Sequence, residues 1–272
     1  MNDTVICWWS GGITSAVACK LAIDLFGVDR CKIIFIDTKN EDDDTYRFKT
    51  DCERLYGCKI ETLTAIGNKY DNIQDVWNSF LSLNVATGAI CSSELKRQVR
   101  IDYQRKNPDY AHQVFGFDIK EGKRSYNIKK NYPATKPIFP LMMYGIDKNQ
   151  CFKIVDDYDL IPPRVYKDGF NNNNCFKTGC VQGGISYWKK IQKMYPEKFD
   201  AMALMEHNLT DEKGSPVTVL KDQGRWAKKS KLFQVFLKPH PLYPFHKSID
   251  DMTGREKEEL MECNGFCNTE NK

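Results

Sequence analysis

The chain has 272 residues, 41% of them hydrophobic and 28% charged, with a formal net charge of +4. That length suits one large domain or a domain with a substantial extension, and the balance is that of a globular protein. No apolar run approaches the roughly 18 residues of a membrane helix. The start, Met1-Asn2-Asp3-Thr4, has no basic segment and the apolar stretch after it stops at Ser10, so the expected setting is cytoplasmic with no membrane partner. A mild positive charge fits an anionic ligand without demanding nucleic acid.

The first expected element is a buried strand over 4–9, Thr4-Val5-Ile6-Cys7-Trp8-Trp9, short, β-branched and aromatic, with a glycine pair behind it. A helix should start near Ser15 and run toward Gly27, which suits a C-cap. A second buried strand covers 32–36 and ends at Asp37. A helix follows over 43–56, then a strand over 59–63, and a further strand over 112–117. Strand and helix alternating in this way give an α/β fold, an open parallel sheet with helices on both faces. In such sheets ligands bind at the carboxyl ends of the strands, where Ser10, Asp37 and Phe117-Asp118 all fall. After about residue 135 prolines break up the chain, and four asparagines at 171–174 precede a cysteine pair. The expected division is a nucleotide-binding domain at 1–145 and a mainly helical, cysteine-bearing extension at 146–272, with helices around 187–194 and 200–208.

Ser10-Gly11-Gly12-Ile13-Thr14-Ser15 joins the first strand to the first helix. Paired glycines let backbone approach a ligand closely and adopt positive φ. Unpaired N–H groups and the dipole at a helix start favour phosphate, and the Ser10 and Ser15 hydroxyls can donate to phosphate oxygens. The loop lacks the Gly-Lys-Ser/Thr ending of a Walker A loop and the Gly-x-Gly-x-x-Gly spacing of a Rossmann turn.

This loop resembles the PP-loop of the adenine nucleotide alpha-hydrolase superfamily, Ser-Gly-Gly-x-Asp-Ser, with Thr14 where that superfamily usually has aspartate. Within it the sequence is similar to PAPS reductase-like proteins. Phe35-Ile36-Asp37-Thr38 resembles their second strand, whose end contacts the adenosine, and Cys91-Ser92-Ser93-Glu94-Leu95-Lys96 their Cys-x-x-x-Leu-Lys segment. Residues 116–125, from Gly116 through Glu121 and Arg124, resemble their Gly-x-x-x-x-Glu-(Ser/Gly)-x-Arg segment, and Pro137-Ile138-Phe139-Pro140-Leu141 the stretch before their substrate-facing helices. The resemblance implies a nucleotide site made of residues 10–15 with Asp37, Thr38 and Gly116. It also implies that Lys96 and Arg124 meet the anion, with Glu121 orienting the guanidinium.

Eleven cysteines in a cytoplasmic chain point to metal binding or catalysis rather than a disulfide framework. Cys7, Cys19 and Cys31 lie in or beside apolar runs and read as core. Cys91, just before a helix, is either a reactive thiol or a packed one. Cys175 and Cys180 form a C-x4-C pair, and Cys263 and Cys267 a C-x3-C pair. Two such pairs suit a tetrahedral zinc or a [4Fe–4S] cluster. The alternatives are a redox pair or unrelated thiols. Glu262-Cys263-Asn264-Gly265 also resembles the Glu-Cys-Gly tail of the reductases, in which cysteine attacks sulfur. The two roles compete for Cys263.

The leading expectation is a PP-loop enzyme, an ATP pyrophosphatase or PAPS reductase-like enzyme. It binds ATP or a PAPS-like adenylate and carries out adenylylation or sulfur transfer and reduction. Lys96, Arg124 and the loop N–H groups would stabilise the departing anion. Magnesium is expected if the ligand is ATP. Two alternatives stand beside it: a sulfurtransferase component of tRNA or DNA modification, and a non-catalytic nucleotide-binding or sensing module, toward which Thr14 leans. Nothing in the sequence sets an oligomeric state.

Overall fold

The computed structural model describes residues 4–85, 88–222, 224, 229–230 and 232–253. Alternating side chains build its central sheet. In strand β1 (Val5–Trp9), Val5, Cys7 and Trp9 enter one core while Ile6 and Trp8 enter another on the opposite face. Strand β2 (Cys31–Ile36) divides in the same way, Ile33 and Phe35 against Ile34 and Ile36. A strand apolar on both sides can only sit in the middle of a sheet covered on both faces. β1 and β2 do so, with β3 (Ile60–Leu63) outside β2, and β4 (His112–Val114) and β5 (Pro137–Ile138) on the other side of β1. The order is β3-β2-β1-β4-β5 and every pairing is parallel, with Val5 opposite both Cys31 and His112.

Helix α1 (Ile13–Phe26) ends at Gly27, whose φ of 87° closes the last turn. Helix α2 (Asp43–Tyr56) starts on Asp42, whose carboxylate accepts the Asp44 N–H at 2.9 Å, and ends on Gly57 in the left-handed region. Helix α3 is Ile73–Phe80, α4 Gln98–Lys106 and α5 Gly122–Asn131. The expected strand over 112–117 pairs only as far as Val114, because Gly116 turns the chain against the loop after β1.

The second half is helical in its first part. Helix α6 (Lys148–Asp157) packs on α1 and sends Cys151 and Val155 into the core of the sheet. Helices α7 (Ile185–Met194) and α8 (Pro196–Lys213) belong to a separate core. Residues 70–95 share that core with residues 165–252; Trp77, Trp188 and Phe199 are all nearly fully buried in it. A small three-stranded sheet, 220–221, 234–236 and 247–248, closes this end. No helix among the described residues is long and apolar enough to cross a membrane.

Candidate functional site

The strand order reverses between β1 and β4. In an open α/β sheet this opens a crevice beyond the carboxyl ends of those two strands. Ser10–Ser15 lies on one side of the crevice and Gly116 on the other. A Cβ at Gly116 would stand 2.5 Å from the Ser15 Cα, so only glycine permits this approach.

Within the loop, Gly11 takes a φ of 88° and Gly12 caps α1 without any side-chain help. Ser15 clasps the turn: its hydroxyl donates to the Gly12 carbonyl at 2.8 Å and accepts from the Ser10 N–H and the Ser10 hydroxyl, both at 3.0 Å. The sequence suggests both serines as phosphate donors; in the structure they hold each other. The extension supports the loop from outside. Asn173, 3% exposed, donates from Nδ2 to the Gly11 carbonyl and to Thr45 Oγ1, each at 2.9 Å. The Tyr166 hydroxyl accepts the Ile13 N–H at 3.3 Å. Lys148 ties down the asparagine run through the Asn171 carbonyl and Asn172 Oδ1. The extension is further anchored at the start of α2, where Arg164 pairs with Asp42 at 2.8 Å.

After β2 the chain turns through Asp37 and Thr38, both buried. One Asp37 oxygen accepts from the Lys39 N–H at 2.7 Å and the Tyr46 hydroxyl at 3.0 Å; the other meets the Lys39 ammonium at 2.9 Å. Burial, then the Asp37 charge, pushes the Tyr46 phenol far up, so Tyr46 stays a donor. Thr38 leads into a second cluster. Its hydroxyl donates to Glu41 Oε1 at 3.1 Å and lies 3.3 Å from Cys175 Sγ. The Lys96 ammonium is 3.5 Å from the same Glu41 oxygen, and both side chains are nearly excluded from water. Lys96 is carried there by a wide, π-helical turn, Ser93–Arg97, leading into α4. Thr38, Lys96 and Cys175 line one cavity, partly open to solvent, with Cys91 and Cys180.

Arg124, at the start of α5, pairs with Glu121 and stacks its guanidinium 4.4 Å over the Phe117 ring. Glu121 also accepts the Asp118 N–H at 3.1 Å, and Asp118 accepts the Lys148 N–H at 3.2 Å. The loop after β4 is thereby fixed from both directions.

The structure brings Cys175 and Cys180 to one cavity wall. Cys263 and Cys267 lie outside the described residues. Among the described residues no group of three or more His, Cys, Asp or Glu side chains is placed to hold one metal ion. Cys7, Cys19 and Cys31 are core residues. Burial, then the Cys19 thiol, pushes Cys7 well above the ordinary thiol range, so it stays neutral. Sequence reasoning missed Glu41 and Asn173. Glu41 begins an acidic run that reads as a helix start, and only the length of the asparagine run set Asn173 apart.

Residues 4–81, from the strand that carries the loop through α3, match the family model of the phosphoadenosine phosphosulfate reductase domain. This segment is phosphoadenosine phosphosulfate reductase-like. Similar solved structures include the phosphoadenylyl-sulfate reductase from Candida auris in a phosphate complex (12% identity, 64% of this chain, 81% of that one, TM-score 0.45). The NMN synthetase from Francisella tularensis has 17% identity over 58% of this chain and 63% of its own, with a TM-score of 0.41. The NH3-dependent NAD synthetase from Campylobacter jejuni has 12% identity over 77% and 85%, with a TM-score of 0.39. None of the curated proteins matches the chain.

Proposed function

We propose that this PAPS reductase-like chain is an enzyme that holds an adenosine phosphate across the β1–β4 crevice and transfers a group at its phosphate. The observation that carries this reading is the loop Ser10–Ser15, clasped by Ser15 and brought against Gly116 at the switch point of the sheet. A turn held in this way directs the N–H groups of Gly12, Ile13 and Thr14 toward an anion once the Tyr166 hydroxyl is displaced. Tyr166, which accepts the Ile13 N–H at 3.3 Å, occupies that donor until phosphate replaces it.

Arg124, oriented by Glu121 and Phe117, is the planar contact for a phosphate or sulfate oxygen. Lys96 is a point charge on the far side of Thr38. Together with the loop they stabilise the leaving anion, and Thr38 and Gly116 border the nucleoside. If the nucleotide is ATP, magnesium would supply charge neutralisation of its phosphates. One Asp37 oxygen is engaged by the Lys39 N–H and the Tyr46 hydroxyl; the other is buried without a hydrogen bond and meets only the half-exposed Lys39 ammonium at 2.9 Å, so a metal would be held there by that oxygen in place of the lysine. The thiols beside Lys96 favour sulfur handling over simple adenylylation. The test is to incubate the protein with ATP, or with a PAPS-like adenylate and an external dithiol as reductant, and measure released pyrophosphate and sulfite. Release of neither, with tight binding of the nucleotide, would reduce the chain to a binding module.

A nucleic-acid acceptor is a second reading, supported by α5. Lys123, Tyr126, Lys129 and Lys130 are exposed there, and the helix contains no acidic residue. Binding of a single-stranded oligonucleotide should then weaken steeply with salt, and Lys123→Glu with Lys130→Glu should abolish it.

A further inference from the structure

The cavity beside Thr38 carries chemistry that a phosphate site does not need. Cys91, Cys175 and Cys180 all line it, and none of the other described cysteines does. Cys91 comes from the helical turn Ile90–Ser92, and the other two from a single turn of the extension. That turn is fixed. The Phe176 and Lys177 N–H groups both donate to the Asn40 carbonyl, at 2.8 and 3.1 Å. Gly179 takes a φ of 80°, and a Cβ there would stand 2.5 Å from the Trp188 ring. The Cys180 N–H donates to the Tyr187 hydroxyl at 3.0 Å.

Cys175 has polar company suited to a nucleophile. Glu41 Oε1 lies 3.8 Å from its sulfur, Thr38 Oγ1 lies 3.3 Å away, and the Lys96 ammonium meets the same carboxylate. A buried base and a buried cation beside a thiol are what activation of a thiol requires. Cys175 therefore has a proton acceptor at hand.

We infer that Cys175 and Cys180 are a working dithiol that reduces a sulfane-sulfur substrate of the persulfide class, R–S–SH, inside this cavity. Glu41 takes the Cys175 proton and the thiolate attacks the outer sulfur. The new bond is Cys175 S–S, the S–S bond of the substrate between its inner and outer sulfurs breaks, and R–S⁻ leaves with the proton. Cys180 then attacks Cys175 Sγ, releasing the outer sulfur as sulfide and leaving a Cys175–Cys180 disulfide. The substrate sulfur gains two electrons, the two thiols lose them, and an external dithiol restores the pair. The inference rests on the sulfur-handling side of the proposed function, since the cavity shares Thr38 and Lys96 with the proposed nucleotide site. The dithiol itself works without nucleotide.

The test is a single turnover of the reduced full-length protein with glutathione persulfide, without oxygen or nucleotide. Free thiols are blocked at intervals, peptides are mapped by mass spectrometry and sulfide is measured. The expected result is a Cys175–Cys180 disulfide and stoichiometric sulfide. Cys180→Ser should stop at a persulfide on Cys175, and Cys91→Ser should behave as the parent. Glu41→Gln and Lys96→Met keep both thiols and should slow persulfidation of Cys175 at least about tenfold, which guards against misfolding of the cysteine variants. No disulfide, a Cys91–Cys180 disulfide, or iron or zinc already holding the thiols would overturn the inference. ATP titration of the same samples separates the two claims. Intact thiol chemistry without nucleotide binding sinks the phosphate-loop reading alone, and the reverse sinks this one.

Discussion

Gly116→Ala puts the architecture of the crevice to a sharp test. The added Cβ would stand 2.5 Å from the Ser15 Cα and 2.7 Å from its nitrogen. Carbon contacts settle at about 3.5–4.0 Å, so one of the two chains must retreat by roughly 1 Å. Neither contact is the tip of a flexible side chain; both are backbone. The displacement falls on Ser15, whose hydroxyl holds Ser10 and Gly12 in place. Overpacking of this kind typically costs about 1–3 kcal/mol. Misplacing a well-aligned group by about 1 Å costs on the order of a hundredfold in reaction rate. The variant should fold, melt at a lower temperature and bind ATP at least about tenfold more weakly, which is roughly 1.4 kcal/mol. Circular dichroism would establish the fold and calorimetric titration the affinity. An unchanged Kd in a folded variant would falsify the claim that this close approach shapes the loop.

Asn173→Ala removes the two donations to Gly11 and Thr45 and leaves a buried carbonyl exposed to a gap. It should cost about 1–3 kcal/mol by chemical denaturation and weaken nucleotide binding as well. Glu206 offers a pH test far from the crevice. Burial pushes its carboxyl up to about 8, against the donated Val219 and Leu237 N–H groups, each at 2.7 Å. The folded pKa lies above the unfolded one, so the folded chain keeps a proton that the unfolded chain releases. Stability should be full below the ordinary carboxylate pKa and fall as pH rises toward 8. Glu206→Gln presents one acceptor to two donors. It should lower stability by about 1–3 kcal/mol at pH 5 and flatten the slope between pH 5 and 8, as read from denaturation midpoints.

The sheet was legible because its strands are short apolar runs bounded by glycine or aspartate, a pattern that only a doubly covered strand carries. The boundaries of α1 and α2 were legible from Gly27, Asp42 and Gly57. The turn into the loop was legible from its glycines. What joins the halves of the molecule was not. Asn173 reaches Gly11 across 162 residues, and Cys175 reaches Glu41 across 134. No local period encodes such contacts, because they depend on how the extension folds back over the sheet. The same limit hid the company of Cys91. From spacing alone it stands by itself, and only packing brings it to the wall that holds Cys175 and Cys180.

The most direct test of the central claim is a crystal structure of the protein grown with saturating ATP. The account predicts phosphate within hydrogen-bonding distance of the Gly12, Ile13 and Thr14 N–H groups, the Tyr166 hydroxyl displaced from Ile13, and the nucleoside beside Thr38 and Gly116. A nucleotide bound elsewhere, or a loop still closed on Tyr166 with no nucleotide in the crevice, would contradict it.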